Sequence, residues 1–163
     1  GVEYYNAQKG TSVKVLGWDI AKQDGTFSGD FSDQTKGASI AKSMADEGAD
    51  IIFPVAGPVG LGSSQFAMDS AGAVKIIGVD VDMSISNPTQ AEVYVASVLK
   101  KIDAAVLQAV KDALAGSGGG TDYLGTLENG GVGVAITSTV APELQAELDA
   151  VAAGIIDGSI VTK

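Results

Sequence analysis

The sequence predicts an α/β domain assembled from repeated strand-then-helix units, and three observations predict it. Short β-branched runs alternate with segments of helical apolar spacing, and each run closes on Gly, Asp or Pro. The composition, 45% hydrophobic and 18% charged over 163 residues, suits one ordinary core. Together these describe a parallel sheet with right-handed crossovers, whose binding groups lie beyond the strand C-termini.

The first ten residues read as the last turns of a helix, with Val2, Tyr4 and Tyr5 as its apolar stripe and Lys9-Gly10 as its stop. A chain that starts inside a helix is expected to lack an upstream part. Val13, Val15 and Leu16, ending at Trp18, predict a first strand beside Gly17. Residues 24–30 are loop chemistry; Ser32 or Asp33 can cap a helix carrying Ile40, Ala41, Met44 and Ala45, and Gly48 stops it.

Residues 50–56 form a nearly continuous apolar run closed by Pro54, as expected of a parallel strand buried on both faces. A glycine-rich turn leads into a helix over about 63–71, and residues 74–79 make a third strand that ends at Asp80. Residues 81–90 read as polar loop. The next nine fit strand or helix and are taken as a strand through Ser97. Ile102, Ala105, Val106, Ala109, Val110 and Leu114 keep a 3.6-residue beat and predict a helix over 99–115. Residues 116–120 read as a flexible link, 124–136 as an interrupted pair of short strands around Asn129-Gly130-Gly131, and Pro142 opens a last helix reaching about Ile156. No internal repeat exceeds this alternation.

Charge and missing residue types bound the chemistry. A net charge of −10, from 20 acidic and 10 basic side chains, repels phosphodiester backbones and anionic lipids, so no nucleic-acid partner is expected. With neither cysteine nor histidine, thiolate nucleophiles, zinc-thiolate sites and the commonest general base are excluded. No run approaches the ~20 apolar residues of a membrane span. Holding a small molecule is favoured over transforming one, and neither a cofactor nor a metal is expected.

Three places carry candidate binding chemistry. Gly57-Pro58-Val59-Gly60-Leu61-Gly62 lacks both the trailing lysine and the G-x-G-x-x-G register of a phosphate cradle. It is a tight strand-to-helix turn, or a place where exposed amides at Gly57 approach a neutral ligand. Asp80 directly follows a buried strand, where a carboxylate can accept sugar hydroxyls or merely cap the next loop. Asp82 makes a D-x-D pair with it, a weak metal signal without further ligands. Phe31 stands in a polar, glycine-rich loop, where its ring either packs on the core or covers something bound.

Four ordered motifs resemble one family: residues 29–37 (GDFSDQTKG), 48–57 (GADIIFPVAG), 77–82 (IGVDVD) and 97–103 (SVLKKID), with later echoes at 130–133 and 156–160. They are similar to the basic membrane protein family, the purine-nucleoside-receptor-like solute-binding lipoproteins of bacterial ABC importers. The resemblance implies a three-layer parallel-sheet lobe of a type I periplasmic-binding-protein-like fold. It further implies that residues 1–163 are the second of two lobes with trailing hinge-crossing segments, the first lobe and the lipid-bearing cysteine being absent. Phe31 would stack on the nucleobase, Gly57 would approach the ligand through its backbone, and Asp80 with Lys100 would hold the ribose. The implied partners are a purine nucleoside and an ABC permease, at an extracytoplasmic site anchored to the cell membrane by an N-terminal lipid. A homodimer through the exposed inter-lobe face is also expected. The chain departs from the family pattern at Met83, where a polar group such as glutamine is common, and at Pro58, where a small residue is. Two rivals differ in class. A receptor for another hydroxylated ligand, or a ligand-sensing regulatory domain, would use the same strand-end carboxylate; a flavodoxin-like or Rossmann-like enzyme needs a cofactor fingerprint after its first strand, and residues 18–29 supply none.

Overall fold

The computed structural model describes residues 1–55, 57–117, 120, 122–137 and 141–162. Ala56 of the second expected strand and Gly118-Gly119 of the expected link lie outside the described residues. The first helix, α1 (Val2–Lys9), stops where Gly10 takes left-handed backbone (φ 66°) and donates its N–H to the Asn6 carbonyl. The Asn6 side chain then captures Val13, donating to its carbonyl at 2.8 Å and accepting its N–H at 2.9 Å. Bound in this way to a side chain, segment 11–16 forms no strand, contrary to the expectation, and Val13 and Val15 stay exposed. The pairing that does form is a short antiparallel hairpin, β1 (Trp18–Asp19) with β2 (Asp24–Gly25). Trp18 and Phe27 meet beside it edge to face, ring centroids 6.5 Å apart.

Asp33 caps α2 (Gln34–Asp46), its carboxylate accepting the Lys36 N–H at 3.0 Å. After β3 (Ile51–Ile52) comes α3 (Val59–Asp69), which begins four residues before the expected start because Pro58 suits the helix entrance. The two helices touch backbone to backbone. A side chain at Gly37 would collide with the Val59 carbonyl, and one at Gly62 with the Gln34 carbonyl; at the same junction the Ser63 hydroxyl donates to the Gly37 carbonyl at 3.1 Å. Glycine at both positions is therefore what lets α2 and α3 lie this close.

β4 (Lys75–Asp80) leads to α4 (Met83–Ser86) and a 3₁₀ turn (Pro88–Val93), where sequence reading expected plain loop. Asp82 explains the difference: its carboxylate accepts the Ser84 N–H at 3.0 Å and caps α4. β5 (Tyr94–Lys100) and α5 (Ile102–Leu114) follow, but the strand lies three residues later than the expected 91–97 and the helix starts at 102 rather than 99, because Leu99 and Lys100 are held in a ladder opposite Gly133 and Val132. Of the two short strands expected over 124–136, one forms, β6 (Val132–Ile136). The other is lost to Asn129, which accepts the Thr126 and Gly131 N–H groups and donates to the Leu124 carbonyl, folding 124–131 into a turn. Last comes α6 (Glu143–Ile156), behind Pro142.

The main sheet has the order β3-β4-β5-β6. β3, β4 and β5 are parallel, and β6 runs antiparallel to β5, so the sheet is mixed rather than wholly parallel. Lys100 lies opposite Val132 in that last ladder, and the Lys101 N–H donates to the Gly131 carbonyl at 3.0 Å. The core, Ala67, Val74, Ile76, Val93 and Tyr94, sits between the sheet and α3, with Ile52, Phe66, Met68 and Met83 around it. β3 is not buried on both faces: it is a two-residue edge strand, and Ile51 is 52% exposed. No described strand flanks its outer side, because segment 11–16 does not pair there.

Candidate functional site

The loop bearing Phe31 is built by the carboxylate before it. Asp30 Oδ1 accepts the N–H groups of Ser32 and Asp33 at 2.6 and 2.7 Å and the Ser32 hydroxyl at 3.2 Å. These donors, the Ser32 N–H first, hold the Asp30 carboxyl below the usual carboxylate range. Phe31 is fixed within this turn, and its carbonyl accepts the Val59 N–H at 3.1 Å, tying the loop to the start of α3. The ring is 78% exposed. Core packing is thereby excluded for Phe31, which stands as an apolar face on a rigid backbone.

Gly57 lies against the same loop, where an added Cβ would come within 3.3 Å of the Phe31 carbonyl. The entrance to α3 offers no phosphate cradle. The Val59 N–H goes to Phe31, that of Gly60 to the Gly57 carbonyl at 3.1 Å and that of Leu61 to the Pro58 carbonyl at 3.0 Å.

Asp80 ends β4 with left-handed backbone, φ 70°, which turns the chain sharply away from the sheet. Its carboxylate meets Lys100 Nζ at 3.4 Å across the β4–β5 ladder, and both side chains keep more than half their exposure. The pair is open to solvent and free to exchange partners for a ligand's hydroxyls. Asp82 belongs elsewhere: its carboxylate is spent on Ser84, through the N–H and through the hydroxyl at 2.6 Å. Among the described residues no three His, Cys, Asp or Glu side chains come together as metal ligands.

A cavity of about 240 Å³ opens at this edge of the sheet, with Gly57 and Asp80 both in its wall. Pro54, Pro58, Leu61, Val79, Val81 and Met83 make the wall mainly apolar, and the buried hydroxyls of Ser64 and Tyr94 meet there at 2.7 Å. Phe31 and Lys100 stand outside this lining, each bonded to a residue in or beside it. The four residues singled out from sequence thus form two couples on one rim, Phe31 with Gly57 and Asp80 with Lys100. Sequence reading missed Ser64 and Tyr94. A tyrosine inside an apolar run was the available signal, since a buried phenol needs a partner.

The family model described as ABC transporter substrate-binding protein PnrA-like matches residues 22–163. The chain is 36% identical over 133 residues to "Basic membrane protein D" of Borreliella burgdorferi, covering 80% of this chain and 35% of that protein. It is 30% identical over 152 residues to "ABC transporter nucleoside-binding protein BmpA" of Lactococcus lactis, covering 85% of this chain and 43% of that one. The chain therefore spans less than half the length of these curated relatives. Among solved structures, an ABC transporter solute-binding protein from Aeropyrum pernix K1 superposes over 100% of this chain and 51% of its own, with TM-score 0.75 and 26% identity. A solute-binding protein from Conexibacter woesei, 24% identical with TM-score 0.65 over 85% of this chain and 45% of its own, shares the fold.

Proposed function

Since the chain belongs to the PnrA-like family of ABC transporter substrate-binding proteins, we propose that it forms one ligand-holding lobe of a bacterial importer's receptor for purine nucleosides. The observation that carries this reading is the single rim on which an exposed aromatic ring, an open backbone and a carboxylate–ammonium pair stand together. A nucleoside matches those chemistries: a flat base for Phe31, and ribose hydroxyls that can donate to Asp80 and accept from Lys100. The nucleoside-binding relative from Lactococcus lactis supports the same choice.

In this reading residues 1–163 are the second lobe with hinge-crossing segments, and a ligand held between two lobes selects their closed state, which a permease then recognises. The role is binding rather than catalysis. The same reading puts the intact protein outside the cytoplasm, anchored to the cell membrane by an N-terminal lipid. A second copy can cover the inter-lobe face when this chain stands alone.

One lobe supplies one face of the stack, so this chain is expected to bind nucleosides weakly. NMR titration of the chain with inosine, guanosine and adenosine is expected to move the resonances of Phe31, Gly57, Asp80 and Lys100 together, with millimolar dissociation constants. Submicromolar affinity would overturn the one-lobe reading. If none of the four moves at saturation, the site itself is wrong. A response at the same residues to a hexose alone would favour the alternative receptor for another hydroxylated ligand.

A further inference from the structure

The cavity at the rim admits water but suits it poorly. The groups along its wall that could bond a water are largely spent on the protein. The Val59, Gly60 and Leu61 N–H groups go to the Phe31, Gly57 and Pro58 carbonyls, the Val81 N–H goes to the Val79 carbonyl at 2.9 Å, and the Met83 N–H goes to Ser97 Oγ at 3.1 Å. Ser64 and Tyr94 hold each other and are 1% and 2% exposed, so their hydroxyls are closed to solvent. What meets the contents of the cavity is mainly Pro54, Leu61, Val79, Val81 and Met83. A water needs two to four polar partners to be held well, and displacing a poorly held one by an apolar group gains affinity. The Asp80 carboxylate is the exception in this wall, and it stays half exposed beside Lys100.

A nucleoside has three parts to place on this rim. The flat base has Phe31, and the vicinal ribose hydroxyls have the Asp80–Lys100 pair. Phe31 and Lys100 both stand outside the cavity lining, whereas Asp80 belongs to it, so a ribose held at Asp80 lies at the edge of the cavity. The third part is the 5′ carbon with whatever it carries, close to the 3′-hydroxyl, and the cavity is the feature of the rim left to receive it. Its volume of about 240 Å³ leaves room for more than a hydroxymethyl group, since an apolar cavity of about 150 Å³ already takes a benzene. A 5′-hydroxyl brought here gives up its water and finds little in exchange. A 5′-phosphate meets the Asp80 carboxylate as well.

We infer that the cavity takes an apolar 5′ substituent, so that this lobe prefers nucleosides carrying a methyl or alkylthio group where ordinary ones carry the 5′-hydroxyl. The inference rests on the nucleoside reading of the rim and names the class of nucleoside within it.

The test compares three ligands with the same base and the same diol: adenosine, 5′-deoxyadenosine and 5′-deoxy-5′-methylthioadenosine. The chain carries three methionines, Met44, Met68 and Met83, and of these Met83 lines the cavity. With ¹³C-methyl methionine labelling and amide spectra recorded together, the methylthio compound is expected to shift the Met83 signal, with Met44 and Met68 as internal controls. It should bind about tenfold more tightly than adenosine, with 5′-deoxyadenosine between them. Val81 is 43% exposed, so its side chain can be exchanged without opening the core; V81N makes the wall polar and should narrow the tenfold ratio while sparing adenosine. If all three compounds move Phe31, Gly57, Asp80 and Lys100 but bind equally, or adenosine binds best, the inference is overturned and the proposed function stands. A bound methylthio compound that leaves Met83 unmoved overturns it in the same way, as does a ratio undiminished in V81N. If no compound moves the four rim residues at saturation, the proposed function fails and this inference falls with it.

Discussion

Asp80 combines two demands at one residue. Its left-handed backbone is a conformation that Asp and Asn tolerate and Gly prefers, and its carboxylate faces Lys100. The ion pair is exposed and contributes at most about 1 kcal/mol. Asp80→Gly should therefore leave stability within about 1 kcal/mol of wild type in urea unfolding, while the nucleoside-dependent shift at Lys100 disappears; a much larger loss would show that the carboxylate serves the fold first. Asp30 gives a pH dependence. Its carboxyl lies below its ordinary value because the folded loop donates to the charged form, so the loop's order is complete above the unfolded value, about 3.9, and is lost as pH falls through the lower folded value. The amide resonances of Ser32 and Asp33 should hold their neutral-pH positions down to pH 4 and move below it, and in Asp30→Asn they should be displaced already at pH 7. Phe31 and Asp80 were legible as candidates because a ring in a polar loop and a carboxylate at a strand end each stand out alone. Ser64 was not, because a serine in a helix announces nothing until Tyr94, distant in sequence, is laid against it.

At the scale of elements, the α2–α3 contact is the most demanding feature. Gly37→Ala and Gly62→Ala each gain about 1 kcal/mol of helix propensity but drive a methyl group into facing backbone. A net loss of about 1–3 kcal/mol is expected for each, measured as a fall in the urea midpoint at unchanged slope; a gain would mean that the helices can separate freely. The helices themselves were readable because caps and stops are local: Asp33, Gly10 and Pro142 act within one turn of where they stand. Strands depend on neighbours, and here local reading failed. The apolar run from Val13 to Leu16 has the composition of a strand, yet Asn6 occupies the backbone of Val13 and no described partner takes the remainder. Asp82 likewise turned an expected loop into a helix through one capping carboxylate. The antiparallel direction of β6 was hidden for another reason, since nothing local records which way a strand will run beside its partner.

The whole molecule leaves much apolar surface open. Ile51, Val98 and Val134 are exposed on the main sheet, and along α5 so are Ile102, Val106, Val110 and Leu114. Surface of this kind promotes association, whereas a net charge of −10 opposes it over a Debye length of about 10 Å at 0.1 M salt. Sedimentation should therefore show self-association that strengthens with salt and weakens in V106K/V110K; a monomer at all salt concentrations would mean that the open surface is inert. The broad α/β alternation was visible in the sequence, but this imbalance was not, because a stripe at helical spacing does not say whether anything lies against it. The β5–β6 pairing has a separate consequence. The chain leaves the sheet after Lys100 and re-enters at Val132, directly opposite, with the Lys101–Gly131 hydrogen bond closing the neck. The described residues between, α5 and the turn over 122–131, form an excursion from the sheet that departs and returns at this neck. A protease nick within α5 would produce two polypeptides that stay zipped together along that ladder, and replacing the excursion by a tight hairpin would keep the sheet in register, so this stretch is where foreign sequence can be spliced in.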